Sequence, residues 1–249
     1  MNTTKPNSQP LTSTLLIPTL NEIDAIQVIM PQINRAWVTQ ILVVDGGSTD
    51  GTLDYFKKHG YEVHSQSKRG FGEGMRQGMM QAKGDIIIEF TPDGNSMPEA
   101  IPLLLQKIAE GYDCVVASRY KDNAVSLDDD WLTGFGNKMF TTIANIMFRA
   151  HFTDLLVGYK AYRKNIGQNL GLDAVGLSWP CQTSLRFDWN GYRVTEIPAD
   201  EPPRIGGERK MRPFKTGREI VHTILREYVL MLKSKLFGQR QSVISKSSK

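Results

Sequence analysis

Nothing in the 249 residues approaches the ~18 consecutive apolar positions that a membrane-spanning helix requires. Residues 1–10 lack the apolar core of a secretory signal, so synthesis and residence in the cytoplasm are expected. Cysteine is nearly absent. Cys114 and Cys181 have neither the spacing of a zinc site nor that of a disulfide framework, and each reads as a small core or near-core residue. Also missing is an aromatic platform among the basic residues near the end of the chain, which argues against nucleic acid as a partner.

What is present is a chain with 40% hydrophobic residues, enough for the core of one large domain or two small ones. Its net charge of +4 is uneven: from Arg204 onward there are 12 Lys/Arg against 3 Asp/Glu, leaving about −5 on residues 1–203.

The stretch Thr91-Pro92-Asp93-Gly94-Asn95 follows Asp85 to Phe90, whose apolar β-branched residues read as a buried strand. A carboxylate therefore falls on a loop at the carboxyl end of a central strand, where open α/β sheets place their ligands. Asp93 and Asn95 can offer oxygens to a Mg²⁺ or Mn²⁺ otherwise held by phosphates; the same residues also make an ordinary turn. Upstream, Ser13 to Pro18, Gln40 to Asp45 and Tyr61 to Gln66 read as strands. They alternate with helical stretches from after Glu22 to about Asn34, from Leu53 to Lys58 and from Gly72 to Ala82. The pattern predicts an α/β fold, a mostly parallel central sheet flanked by helices, with the loops at 18–22, 45–52 and 91–95 opening on one edge.

Ile17 to Glu22, Val43 to Thr52, Arg69 to Gly74 and Gly84-Asp85 before the Asp93 loop resemble the ordered signatures of the family 2 glycosyltransferases. Asp113 to Tyr120, Asp154 to Arg163 and Gly191 to Pro198 are similar to the branch that contains dolichyl-phosphate mannose synthases. The resemblance runs from about Thr14 to Gly217. It implies a GT-A (nucleotide-diphospho-sugar transferase) domain over 11–215, with a nucleotide-sugar half to about 120 and an acceptor half from 121. The implied reaction is inverting transfer of a hexose from a GDP- or UDP-sugar to a polyprenyl or dolichyl phosphate, assisted by Mg²⁺ or Mn²⁺.

By this resemblance the nucleotide sugar meets Pro18, Thr19, Asn21, Glu22, Asp45, Gly46, Gly70, Gly72, Gly74, Thr91 and Asp93. Glu22 equally fits an acid in the first turn of a helix, and Gly46 to Gly51 a helix start capped by Ser48 or Asp50. Gly70, Gly72 and Gly74 permit close backbone approach ahead of a helix N-terminus, where amide donors favour phosphate. Where many relatives carry Asp-x-Asp, this chain has Thr91-Pro92-Asp93, so the expected metal ligands are Asp93 and Asn95, with weak affinity in the absence of nucleotide. Arg119 is implied near the donor phosphates. Arg204 to Lys210 resembles a phosphate-covering segment with Arg209 in place of its usual Ser; Arg204 and Lys210 are the main expected clamps, and Arg209 and Arg212 the secondary ones. The catalytic group is thus Asp93, Arg119, Arg204 and Lys210.

On the acceptor side stand Asp154, Lys160 and Gln182, the last where relatives frequently carry Glu. A hydroxyl acceptor needs a general base, whereas a phosphate arrives ionised and needs only positioning and neutralisation. The acidic stretch Asp122 to Asp130 is expected to be mobile without ligand. Phe135, Met139, Phe140, Ile143, Ile146 and Met147 share one helical face and read as a core stripe, with an isoprenoid cradle as the alternative. A loose tail is expected at 1–10, an amphipathic helix at 216–237 with an apolar stripe of Ile220, Ile224, Tyr228, Met231 and Leu232, and a disordered basic tail at 238–249. That helix can dock on its own domain, pair with a second protomer or lie peripherally on the cytoplasmic face of a membrane. Rival readings are transfer to a hydroxyl of a glycan, protein or small molecule, and an inactive nucleotide-binding scaffold.

Overall fold

The computed structural model describes residues 11–207 and 211–237, so the tails expected at 1–10 and 238–249 lie outside the described residues. Its strands are β1 (Ser13–Thr19), β2 (Gln40–Asp45), β3 (Glu62–Ser65), β4 (Ile86–Glu89), β5 (Cys114–Ser118), β6 (Lys160–Arg163) and β7 (Val194–Pro198). They form one sheet in the order β3-β2-β1-β4-β6-β5-β7. All neighbours are parallel except β6, which runs against both β4 and β5. Leu15, Leu16 and Ile17 in β1 and Ile86, Ile87 and Ile88 in β4 are buried as unbroken runs, as strands are when helices cover both faces.

The helices are α1 (Ile23–Ile29), α2 (Thr52–Lys58), α3 (Phe71–Gln81), α4 (Ala100–Ala109), α5 (Trp131–Phe148), α6 (Lys164–Asn169), α7 (Trp179–Trp189) and α8 (Pro213–Phe237). α1 stops five residues short of the expected Asn34. Pro31 removes a backbone donor, and two 3-10 turns, Met30–Gln32 and Arg35–Trp37, carry the chain to β2. α3 lies so close to the sheet that a Cβ at Gly78 would sit 2.3 Å from Leu16 Cδ1, so only glycine fits there.

α5 corrects an expectation. Its buried face is Asn137, Thr141, Ala144 and Phe148, while Phe135, Met139, Ile143 and Ile146 are exposed and Phe140 and Met147 half-buried. The polar residues face inward because the 152–155 segment needs them. Asn137 Nδ2 donates to Asp154, the Thr141 hydroxyl accepts from Leu155 N–H, and the Asn145 amide bonds both the N–H and the C=O of Phe152.

α8 opens at Pro213, three residues before the expected start, with proline at a first-turn position where its missing N–H costs nothing. Ile220, Ile224 and Met231 are buried against the domain and Tyr228 is half-buried; Leu232 is exposed. α8 is held to α7 by a charged lock. The fully buried Glu227 accepts from Arg186 Nε at 2.8 Å, Gln182 Nε2 at 2.8 Å and Arg226 at 3.0 Å. Breaking a buried pair by removing one partner costs more than the pair contributes, because the other charge stays desolvated. Glu227→Ala is therefore expected to lower unfolding stability by about 3–5 kcal/mol in urea denaturation. An unchanged midpoint would show that the pair does not hold α8 in place.

Candidate active site

The loops after β1, β2, β4 and β5 open on the carboxyl edge of the sheet, into one cavity of ≈ 1110 Å³. One end is charged and polar, with Glu22, Asp93, Asn95, Arg119, Glu201 and Arg204 on its wall. The other is apolar, where Leu132, Phe135, Met139 and Phe140 of α5 face Phe214 and Val221 of α8.

At the polar end Arg204 bridges two carboxylates, donating to Asp93 Oδ2 at 2.9 Å and to Glu22 Oε1 at 2.5 Å. The segment that carries it lies across the Asp93 loop, where Ile205 N–H donates to the Asp93 carbonyl at 2.9 Å. Gly94 makes this crossing possible: its φ is +94°, and a Cβ there would meet Ile205 Cγ1 at 2.7 Å. Asn95 Oδ1 is buried without a hydrogen-bond partner, an acceptor oxygen awaiting a donor or a cation. Among the described residues no three His, Cys, Asp or Glu side chains cluster as a metal site. Asp93 and Asn95 thus fit a hard divalent cation only as a partial shell, which ligand phosphates would have to complete.

Arg119 is the hub of a second network. Its Nε and Nη2 hold both oxygens of Asp154 at 2.6 and 3.0 Å, and its Nη1 reaches Glu201 at 3.2 Å. Burial pushes the Asp154 carboxyl up, but the Arg119 guanidinium outweighs it and holds the group below its ordinary range. For Glu201 burial wins, and its carboxyl is raised in spite of Arg119. Glu201 also accepts from Ser126 Oγ and from Asn95 Nδ2. The acidic loop, expected to be mobile, is tied at this point by Glu201 N–H to Val125 O and Leu127 N–H to Glu201 O.

Pro18, Thr19, Glu22, Gly46, Gly70, Thr91, Asp93, Asn95, Arg119 and Arg204 all face the cavity. Others have different work. Asp45 is buried and its carboxylate accepts from Gly47 and Ser48 N–H, closing its own turn. Asn21, at φ 53°, accepts from Thr49 N–H and zips the first two loops together. The amides expected to meet phosphate at the start of α3 are spent, since Gly72 and Glu73 N–H donate to Val175 O. Gly72 is glycine because a Cβ would lie 2.1 Å from Ala174 O, and Gly74 packs on the Gln66 amide.

Three residues expected on the acceptor side are buried in this structure. Asp154 is fully buried in the Arg119 pair. Lys160 is fully buried under the site, donating to Pro180 O and Ser184 Oγ, and burial holds its ammonium pKa down. Gln182 is fully buried too, accepting from Asp173 and Ala174 N–H and donating to Glu227. Arg212 is exposed next to Met211 and Pro213 of the wall, and Arg209 and Lys210 lie outside the described residues. Sequence reasoning missed Glu201. An acidic pair, Asp200-Glu201, one residue beyond a strand end and ahead of Pro202-Pro203 is the signal that could have marked it.

A family model described as Glycosyl transferase family 2 matches residues 14–171. Among curated proteins, the chain is 29% identical over 225 residues to an undecaprenyl-phosphate mannosyltransferase of Micrococcus luteus, covering 83% of this chain and 90% of that one. It is 28% identical to a polyprenol monophosphomannose synthase of Mycolicibacterium smegmatis, over 84% and 83% of the two chains. Among solved structures, glucosyl-3-phosphoglycerate synthase from Mycobacterium tuberculosis, in complex with Mn²⁺, UDP and phosphoglyceric acid, superposes with a TM-score of 0.69. That match is at 21% identity and covers 88% of this chain and 78% of that one.

The Arg119–Asp154 pair generates a pH signature. A carboxyl held low in the folded state stabilises it above the ordinary Asp range, and that contribution is lost as the pH falls through the folded value. Asp154→Asn is expected to cost about 3 kcal/mol at pH 7 and to flatten the loss of stability below about pH 4. Thermal melts from pH 7 to 3 check both; an equally steep acid limb in the variant would assign that limb to other groups.

Proposed function

The chain belongs to glycosyl transferase family 2, and from that premise we propose that it moves a hexose from a nucleotide diphosphate sugar to a polyprenyl phosphate. The observation that carries the acceptor is the two-ended cavity: a charged end matched to phosphates is continuous with an apolar end matched to a hydrocarbon chain. In this reading the donor lies against Pro18, Thr19, Glu22, Gly46 and Thr91, with its diphosphate at Asp93 and Arg204. A Mg²⁺ or Mn²⁺, held by Asp93 and Asn95 together with the diphosphate, would supply positive charge against the leaving group.

Arg204 neutralises Asp93 and Glu22 and exchanges them for phosphate oxygens when substrate is bound. Its planar fork suits either pairing. Arg119 keeps its carboxylates and contributes by fixing the Glu201 wall. An acceptor phosphate arrives already ionised, so no side chain has to remove a proton; it attacks the anomeric carbon in line and inverts it. The relatives' acceptors, named as undecaprenyl phosphate and polyprenol, support the same assignment.

Labelled sugar from a panel of GDP- and UDP-sugars, incubated with polyprenyl phosphate with and without Mn²⁺ or Mg²⁺, is expected to pass into the organic phase. Label on a soluble alcohol alone would overturn the acceptor, and an intact donor throughout would overturn the transfer. Asp93→Ala and Arg204→Gln are each expected to lose about 10²–10³ in transfer rate with an unchanged circular dichroism spectrum. Near-normal turnover in either variant would remove that residue from the mechanism.

A further inference from the structure

Twenty large apolar side chains are exposed among the described residues, and twelve of them lie on α5 and α8. On α5 they are Trp131, Leu132, Phe135, Met139, Ile143 and Ile146, a stripe advancing by three or four residues along one side of the helix. On α8 Phe214, Val221, Leu225, Val229, Leu232 and Leu236 repeat the same spacing. Trp131 is 82% exposed and Phe214 90%, unusual for residues of this size. The helices lie side by side: Phe140 packs on Gly217, and the Phe148 and Tyr228 rings meet edge to face at 5.7 Å. Both stripes run from the apolar mouth of the cavity, which Phe135, Met139, Phe214 and Val221 line.

Charge selects the occupant. The exposed ionised side chains within the two helices are all basic: Lys138 on α5, and Lys215, Arg218, Lys233 and Lys235 on α8. α5 contains no acid; on α8 Glu227 is buried and Glu219 accepts from Ser178 N–H. At 100° per residue Lys215 and Lys233 fall on one flank of the α8 stripe and Lys235 on the other, while Arg218 falls within it, on the cavity wall. Apolar side chains rimmed by lysine match the interface of an anionic bilayer, with acyl chains under the stripe and headgroups at the rim. No helix among the described residues is long and apolar enough to cross a membrane, so the contact would be with the surface.

We propose that α5 and α8 form one docking face for an anionic lipid bilayer, which sets the cavity mouth against the membrane. This deepens the reading of a polyprenyl phosphate acceptor, but its test does not require that reading. Full-length protein is mixed with phosphatidylglycerol or phosphatidylcholine vesicles free of donor and acceptor, and the bound fraction is measured by flotation. The expected result is binding to phosphatidylglycerol at least tenfold tighter than to phosphatidylcholine. A combined Ile146→Ser, Leu225→Ser, Val229→Ser and Leu236→Ser variant is expected to lose at least tenfold in binding. These four positions lie outside the cavity wall, so circular dichroism and transfer to a short-chain, detergent-free acceptor should be unchanged. Equal binding by the variant would overturn the proposal. So would a wild-type protein that ignores vesicles, whether as a monomer or as a dimer that the substitutions dissociate. Vesicle binding without any transfer activity would overturn the acceptor and leave the docking face standing.

Discussion

The guanidinium of Arg119 ties the second half of the chain to the sheet. It stands just past the end of β5 and holds Asp154 from the loop before β6 and Glu201 from beyond β7. Asp154 fixes Asn137 of α5, and Glu201 fixes Ser126 of the acidic loop. Such a network is costly to bury, and it is tolerable only because both carboxylates meet the same cation and their remaining lone pairs find donors. Beyond the stability that the lowered Asp154 carboxyl reports, it contributes geometry. The wall of the cavity and the path of the loop are set from this point, and the roll of α5 in part, through Asn137.

The cavity inherits its two characters from the two halves of the chain. Loops from the first half supply Glu22, Asp93 and the small turns; the second half adds Glu201 and, on α5 and α8, the hydrocarbon. Arg204 joins them, because it comes from the second half and reaches Glu22 and Asp93 in the first. At the polar end one guanidinium faces two carboxylates, so the three charges are only partly compensated.

The strands and the loops on one sheet edge were legible because apolar β-branched runs ending in Pro, Gly or Asp have one physical meaning in a buried parallel sheet. Asp93 was singled out by its place just past a strand, and Arg119 and Arg204 by resemblance; all three line the cavity. Lys160, Gln182 and Asp154 were placed on the acceptor side by resemblance alone; their burial was not legible, because their partners, Ser184, Glu227 and Arg119, come from distant parts of the chain that periodicity cannot bring together. α5 failed in the same way. An apolar stripe was read as the inward face, and nothing local reveals that Asn137 and Thr141 are wanted inside.

That inversion in α5 separates two demands that most helices answer with a single face. Its rotational register is fixed by directional bonds from Asn137, Thr141 and Asn145, and a turn of one residue would leave several buried polar atoms unpaired. The outward residues are therefore relieved of any duty to hold the helix. They can vary in size and greasiness at little risk to folding, so selection on that surface can follow its surroundings independently of the core.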